Sequence, residues 1–371
     1  LTINQIETLV KGIMDAKQVP GVAVGIVKAG ELVYAKGFGV AELGSDRPVT
    51  TKTLFHMASL NKTVVATAIM QLVEAGELDL DNPVTNYLPD FKLADGRYKD
   101  ITVRQLLSHR SGMPDIDAAV LEREFRTPRT DDAALDEYVR SMGRYELLSA
   151  PDESFSYSCI GFDILGDIVA KVSGESYEQY AQDHIFSPLG MADTTSLLSA
   201  ADPQQLAAPH AYGADGKPQQ LDYFPYTRVH APCNNLYTNI DDLSRLAIAD
   251  LNRGELDGKR ILAAKAYDEL WTPTGKTGWD EWFGPAWSDY GLGWFIGEVA
   301  GHPIFSHPGA DEGFQSEMML VPDRELGIVS AVNLFDAEDG ALNAYIVADE
   351  VLKLLLVDEP AVAAPAYIGI Y

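Results

Sequence analysis

His56-Met57-Ala58-Ser59-Leu60-Asn61-Lys62-Thr63-Val64 is the stretch on which the reading of this chain turns. It predicts the opening turn of a helix with Ser59 and Lys62 on one face, because residues three apart lie one above the other on a helix surface. The residues that follow, Val64, Val65, Ala66, Ala68, Ile69, Met70, Leu72 and Val73, are apolar on nearly every side of that helix. A helix of this kind is covered by protein on most sides. A lysine in its first turn is then partly desolvated, and desolvation lowers the pKa of an amine. A lysine that is neutral near pH 7 can take the proton of a neighbouring serine hydroxyl. The expectation is a nucleophile and its base on one helical turn. S-x-x-K also arises at ordinary helix starts, so the rest of the chain has to support it.

Working outward, Ile3, Ile6, Leu9, Val10, Ile13 and Met14 form one face of an amphipathic helix over 3–17. Residues 22–27 read as a buried strand, and 32–41 as its hairpin partner across Ala29-Gly30-Glu31. Downstream, Gly76 stops the Ser59 helix. A short helix over 102–113 runs into Gly112, and 154–159 is an extended stretch that opens a helix over 160–172. Residues 115–150 are polar and weakly periodic, with one helix near 131–142, and read as an insertion beside the site. A helix over 176–186, a proline-rich loop over 199–232 and a helix over 240–253 follow, the last capped near Asn239. Strands return at 290–296, 304–307, 315–321 and 326–332, before a closing helix over 341–356.

Strands at both ends with helices between them predict an α+β fold, an α/β sandwich. One antiparallel sheet is assembled from both termini and flanked by helices, with an all-helical subdomain inserted. Residues 1–55 and 275–357 make the sheet part, 56–274 the helical part, and 358–371 a linker. A site falls at the seam.

With 371 residues and 46% hydrophobic content the chain can build a proper core. Its net charge of −27 argues against nucleic acid and anionic membrane as partners. No run of ~20 apolar residues is present, so no membrane span is expected. The chain starts at Leu1 and not at Met, a processed or trimmed end, so secretion and a cytoplasmic location both stand. Cys159 and Cys233 give neither a disulfide framework nor a zinc pattern, and a bridge and two free thiols are both open. No cofactor and no metal is expected, and the oligomeric state is left open.

Three blocks in order carry a resemblance: Ser59-Leu60-Asn61-Lys62 as S-x-x-K, Tyr157-Ser158-Cys159 as Y-x-N changed at its last residue, and His307-Pro308-Gly309 as the H-x-G variant of K-T-G. Residues 106–113 (LLSHRSGM), 186–194 (FSPLGMADT) and 290–294 (YGLGW) agree with them. Together they resemble the serine β-lactamase and penicillin-binding-protein superfamily, in particular its class C β-lactamase-like hydrolases, DD-peptidases, D-aminopeptidases and esterases. The resemblance runs over roughly residues 5 to 355 and implies a β-lactamase/transpeptidase-like fold.

It also implies roles. Ser59 would be the acylated nucleophile. Lys62 would take its proton or hold Tyr157 ionised, and Tyr157 would pass a proton to the leaving group. His307 and Gly309 would line the opposite wall of the substrate site. The N–H groups of Ser59 and Ala310 would form the oxyanion hole.

Two departures bear on the substrate. Cys159 stands where penicillin-recognising members carry a substrate-binding Asn, and a thiol cannot donate and accept as an amide does. His307 in place of Lys weakens a carboxylate clamp at neutral pH. Asn234 and Asn235 are expected to supply a replacement amide, with one of them facing Ser59. His109 and Ser111 are read as structural, and Asp163 as a helix-surface or loop-anchoring carboxylate. Residues 366–371 resemble the opening of a small β-barrel domain, with a strand docking on the core as the alternative. The resulting expectation is a serine hydrolase acting through an acyl-enzyme on small esters or amides, with slow or absent β-lactam turnover. The alternatives are a D-amino-acid peptidase or amidase, a DD-peptidase, a β-lactamase, and a non-catalytic binding or regulatory protein.

Overall fold

The computed structural model describes residues 3–335 and 343–357. Its centre is an eight-stranded antiparallel sheet. In spatial order the strands are Glu31–Gly39, Gly21–Lys28, Leu326–Val332, Phe314–Val321, His302–Asp311, Phe295–Val299, Asp289–Tyr290 and Gly275–Lys276. The N-terminal hairpin joins the last strand in register from Val22↔Val332 to Lys28↔Leu326. The two ends of the chain therefore close one sheet, and the fold is α+β.

Each sheet face is covered. On one side, helices Ile3–Lys17 and Asn343–Val357 pack Ile6, Val10, Val347 and Val351 onto Val24, Ile26 and Ile328. On the other, helices Asn61–Glu74 and Ile240–Leu251 bring Val64, Ile69, Leu243 and Ala247 against Val27, Met318 and Val329. This second core continues without a break into helix Cys159–Ser173 through Ile164, Leu165 and Ile168. The sheet and the helical block thus share one apolar interior, which fixes the seam between them.

Several local expectations change. Residues 290–296 are two short strands and not one, with Tyr290 pairing Phe295 across a tight reversal. Gly293 sits at φ +80° in that reversal, a backbone region that disfavours residues with a Cβ. Phe55–His56 leaves the main sheet and pairs with Tyr237–Thr238 in a separate ladder. The insertion holds a second longer helix, Ala118–Arg126, capped by Asp117 accepting from the Ala119 and Val120 N–H groups. That helix buries only Phe125, although Leu121 and Phe125 stand one turn apart on one face of it. The 358–371 linker lies outside the described residues. Among the described residues no helix is long and apolar enough to cross a membrane.

Strand His302–Asp311 lies directly on the chain that enters the Ser59 turn. A Cβ at Gly309 would approach the Met57 carbonyl oxygen to 1.9 Å and Ser316 Oγ to 2.5 Å. Backbone on one side leaves little room to relax. Gly309→Ala is expected to destabilise the protein by about 1–3 kcal/mol, as overpacking does. Urea unfolding should show a lower midpoint with an unchanged slope. An unaltered midpoint would mean that the strand does not press on the turn.

Candidate active site

Ser59 is the middle residue of a short 3-10 turn, Ala58–Leu60, that feeds helix Asn61–Glu74. Ala58 is held at φ +50°. That conformation costs a residue with a Cβ roughly 1 kcal/mol, so its surroundings must enforce it. They do so through Met57, whose N–H donates to Leu236 O at 2.7 Å and whose carbonyl accepts from Ser316 Oγ at 2.7 Å. Ser59 stays partly exposed, while Ala58, Leu60, Asn61 and Lys62 are buried. Asn61 Nδ2 donates to the Ala231 and Pro232 carbonyls at 2.9 Å each, and Asn61 Oδ1 accepts from Tyr177 OH at 3.0 Å. This clamp delivers the next carbonyl, that of Cys233, to Lys62.

Lys62 Nζ donates to Ser59 Oγ at 2.9 Å, to Cys233 O at 3.1 Å and to Cys159 Sγ at 3.3 Å. Each of these atoms can accept from an ammonium group. Burial acts to lower the lysine's pKa, but Cys159, Tyr157 and Cys233, with a hydrogen bond to Tyr157, carry it well above the usual amine range. The resting side chain is a buried cation. This corrects the expectation of a lysine made neutral by desolvation, because its acceptors outweigh its burial.

Tyr157 is partly exposed and lies against the same group, with Lys62 Nζ 5.0 Å from its ring centroid. Burial raises the phenol's pKa, against the opposing pull of the Lys62 charge and of hydrogen bonds to Ser59 and Lys62. Both protons are therefore in place at neutral pH. His109 positions this tyrosine. Its ring sits 4.2 Å from the Tyr157 ring, its Nδ1 accepts the Ser158 N–H at 3.0 Å, and its carbonyl accepts the Ser156 N–H at 2.8 Å. Since Nδ1 accepts, the ring proton is on Nε2. Burial, and after it the Lys62 charge, holds the His109 pKa well below its usual value, so the ring is neutral.

The other site residues divide. Cys159 begins helix Cys159–Ser173 and is partly exposed beside Lys62. Ala310 is partly exposed on the strand that carries Gly309. His307 is fully buried. Its Nδ1 lies 2.6 Å from Pro308 O, which can only accept, so Nδ1 holds the proton and Nε2 accepts from Tyr290 OH at 3.2 Å. Burial and the Lys62 charge press its pKa down to about 3. His307 is a neutral residue whose two ring nitrogens both have partners within the protein. Asn235 is fully buried, and its amide donates to Thr227 O at 3.0 Å. Asn234 donates its amide to the Asp311 carboxylate. Each of these amides thus donates one N–H within the protein, and Asn235 Oδ1 has no hydrogen-bond partner.

Asp163 is not on the helix surface. It is fully buried 2.6 Å from His230 Nδ1, and His230 Nε2 is 2.8 Å from Glu124. Asp163, His230 and Cys233 bring three possible metal donors within 4.8 Å of one another. Both His230 nitrogens already face carboxylates, so the arrangement is that of a buried ion triad. Burial presses the His230 pKa down, but Asp163 and then Glu124 raise it to about 10. Burial also pushes the Asp163 carboxyl upward against the pull of His230. The shared proton belongs on His230, which faces two carboxylates while each of them faces one imidazole.

Sequence reading did not find Cys233 O, Asn61 or the aromatic pair Phe155 and Trp279. Both aromatics are partly exposed, and Trp279 lies 5.3 Å from the Tyr157 ring. A backbone carbonyl 171 positions away from Lys62 leaves no mark in the sequence. The aromatic pair is also split between distant segments.

A profile of the family described as Beta-lactamase matches residues 6–352. Penicillin-binding protein 4 of Amycolatopsis lactamdurans is 33% identical over 319 residues, covering 85% of this chain and 80% of that protein. Protein flp of Staphylococcus aureus (strain MW2) is 29% identical over 335 residues, covering 89% of this chain; the match spans only 63% of flp. Among solved structures, the octameric penicillin-binding protein homologue from Pyrococcus abyssi superposes with a TM-score of 0.83 at 27% identity, covering 96% of this chain and 78% of that one. D-amino acid amidase from Ochrobactrum anthropi SV3, complexed with L-phenylalanine amide, superposes with a TM-score of 0.77 at 24% identity, covering 95% and 98%. The last comparison speaks to fold alone.

The ion triad generates a stability prediction. A histidine whose folded pKa is raised above ~6.5 contributes fully below that pH, and the contribution is lost as pH rises through the folded value, here about 10. His230→Gln should lower the unfolding free energy most below neutrality, with a smaller difference from the parent in the alkaline range. Urea titrations at several pH values measure this. A difference that grows with pH would place the proton elsewhere.

Proposed function

This chain belongs to the beta-lactamase family, and from that premise we propose that it is a serine hydrolase working through an acyl-enzyme on small neutral amides or esters. The observation that carries the reading is the 2.9 Å contact between Ser59 Oγ and Lys62 Nζ, with Tyr157 against both. Once the Lys62–Tyr157 pair has lost one proton, it takes the Ser59 proton as the hydroxyl attacks the substrate carbonyl. The N–H groups of Ser59 and Ala310 face the developing oxyanion, each such donor contributing on the order of 3 kcal/mol. Tyr157 then hands a proton to the leaving group, and water hydrolyses the acyl-Ser59 ester. The trio does this work, whichever of the two bases holds the proton at each instant.

Three features support a neutral substrate with an apolar group. His307 is uncharged, so no cation there clamps a carboxylate. The net charge of −27 repels anions at a distance. Phe155 and Trp279 offer aromatic surface beside Tyr157. The amide half of the reading has a counterpart in the D-amino acid amidase that shares the fold. A second reading, β-lactam recognition, draws on the identity to Penicillin-binding protein 4. Cys159 gives it no amide for the acylamino group, so such turnover is slow.

Mass spectrometry should find a fluorophosphonate or acyl adduct on Ser59. Ser59→Ala should lower p-nitrophenyl acetate and phenylalanine amide turnover by roughly a thousandfold or more. No adduct with an ester, a β-lactam or a fluorophosphonate would favour a non-catalytic binding protein. The pH dependence has a definite sign. Lys62 and Tyr157 are both pushed upward and one of them must lose a proton, so kcat/KM should rise from about pH 6 to about pH 9. A flat profile over that range would count against this base.

A further inference from the structure

The two cysteines take no part in the proposed chemistry, yet both border its lysine. Cys159 is partly exposed at the site, and its Sγ lies 3.3 Å from Lys62 Nζ. Of the two sulfurs it is this partly exposed one that a small oxidant can reach. Cys233 is buried on the turn Ala231–Asn234, its backbone carbonyl accepts from the same Nζ at 3.1 Å, and its thiol interacts with that of Cys159. Both thiols are free. A partly exposed sulfur next to a cation, backed by a buried second sulfur, is the arrangement of an attacked thiol and its resolving partner.

We propose that Cys159 and Cys233 are a reversible oxidation site for peroxide-class oxidants, and that closing their disulfide shuts the Ser59–Lys62 site. In the first step the Cys159 sulfur attacks a peroxide oxygen. The S–O bond forms, the O–O bond breaks, and the departing oxygen takes the thiol proton and leaves as water or an alcohol; sulfur is oxidised by two electrons and the peroxide reduced. In the second, the Cys233 sulfur attacks the Cys159 sulfur. The S–S bond forms, the S–O bond breaks, and hydroxide leaves with the Cys233 proton as water. The disulfide draws Cys159 Sγ toward Cys233 and takes an acceptor from the Lys62 ammonium. It also ties the end of the Tyr157-bearing stretch to the turn whose carbonyl holds Lys62. A dithiol reductant reverses the change by exchange.

The activity arm of the test rests on the hydrolase reading, while the mass arm does not. The native full chain is treated with hydrogen peroxide, blocked with N-ethylmaleimide and digested without reduction. A linked Cys159–Cys233 peptide is expected. Fluorophosphonate labelling of Ser59 should fall by about tenfold or more and return with dithiothreitol. In Cys233→Ala, compared with its own untreated sample, oxidant should cause a loss that dithiothreitol does not reverse, because Cys159 climbs to sulfinic acid. Absence of the linked peptide from native protein overturns the proposal, as does a linked peptide with Ser59 labelling unchanged. A reduced protein that never labels at Ser59 refutes the hydrolase reading alone, since the linked peptide still reports on the thiols.

Discussion

The Met57 carbonyl is the point at which sheet and helical block are pressed together. Ser316 Oγ donates to it at 2.7 Å, and Gly309 passes so close that a single added carbon would reach it at 1.9 Å. This contact holds Ala58 in its left-handed conformation and presents Ser59 at the seam. The chain on either side is anchored independently. Met57 N–H is held by Leu236 O, and Asn61 fastens the helix start to the 231–232 carbonyls. Strain in one residue is tolerated because rigid elements on three sides over-determine its geometry.

Within that frame the electrostatics centre on one buried cation. Taking an ammonium out of water is costly unless its donors are met. Lys62 meets that condition with a hydroxyl, a thiol and a carbonyl drawn from three separate segments. Its charge then governs its neighbours. It helps to keep His109 and His307 neutral, each with one ring nitrogen accepting a hydrogen bond. His230, a buried cation behind the site, is kept apart by its own two carboxylates. The helical block thus carries one compensated charge at the site and another behind it, with Cys233 between them, and Arg228 is paired separately with Glu178 and Asp132.

Aromatic packing completes the wall. His109, Phe155, Tyr157, Trp279 and Tyr290 contact one another at ring separations of 4.2 to 5.9 Å. Such pairs are favourable beyond the area they bury, by about 0.5–1.5 kcal/mol each. Rigid rings fix the tyrosine hydroxyl with little entropy left to lose. The exposed edge of this cluster is aromatic surface beside the Ser59–Lys62 pair.

The sequence by itself determined what local spacing can encode. The three-residue interval put Ser59 and Lys62 on one face, the apolar run behind them required a covered helix, and strands at both ends implied a sheet closed by the termini. It read residues 290–296 as one strand, because a glycine that turns the chain and a glycine that lies flat are the same letter. It passed over helix Ala118–Arg126, a short element in a polar segment, although Leu121 and Phe125 stand one turn apart on it. Only the tertiary structure decided the charge state of Lys62, the burial of His307 and the engagement of Asn234 and Asn235. Each depends on partners that the fold brings in from elsewhere, such as Cys159 and Cys233 beside Lys62, 97 and 171 positions along the chain. Periodicity reports which side of an element is apolar. A proton's position depends on every donor, acceptor and charge within a few ångströms, and that set exists only once the chain has folded.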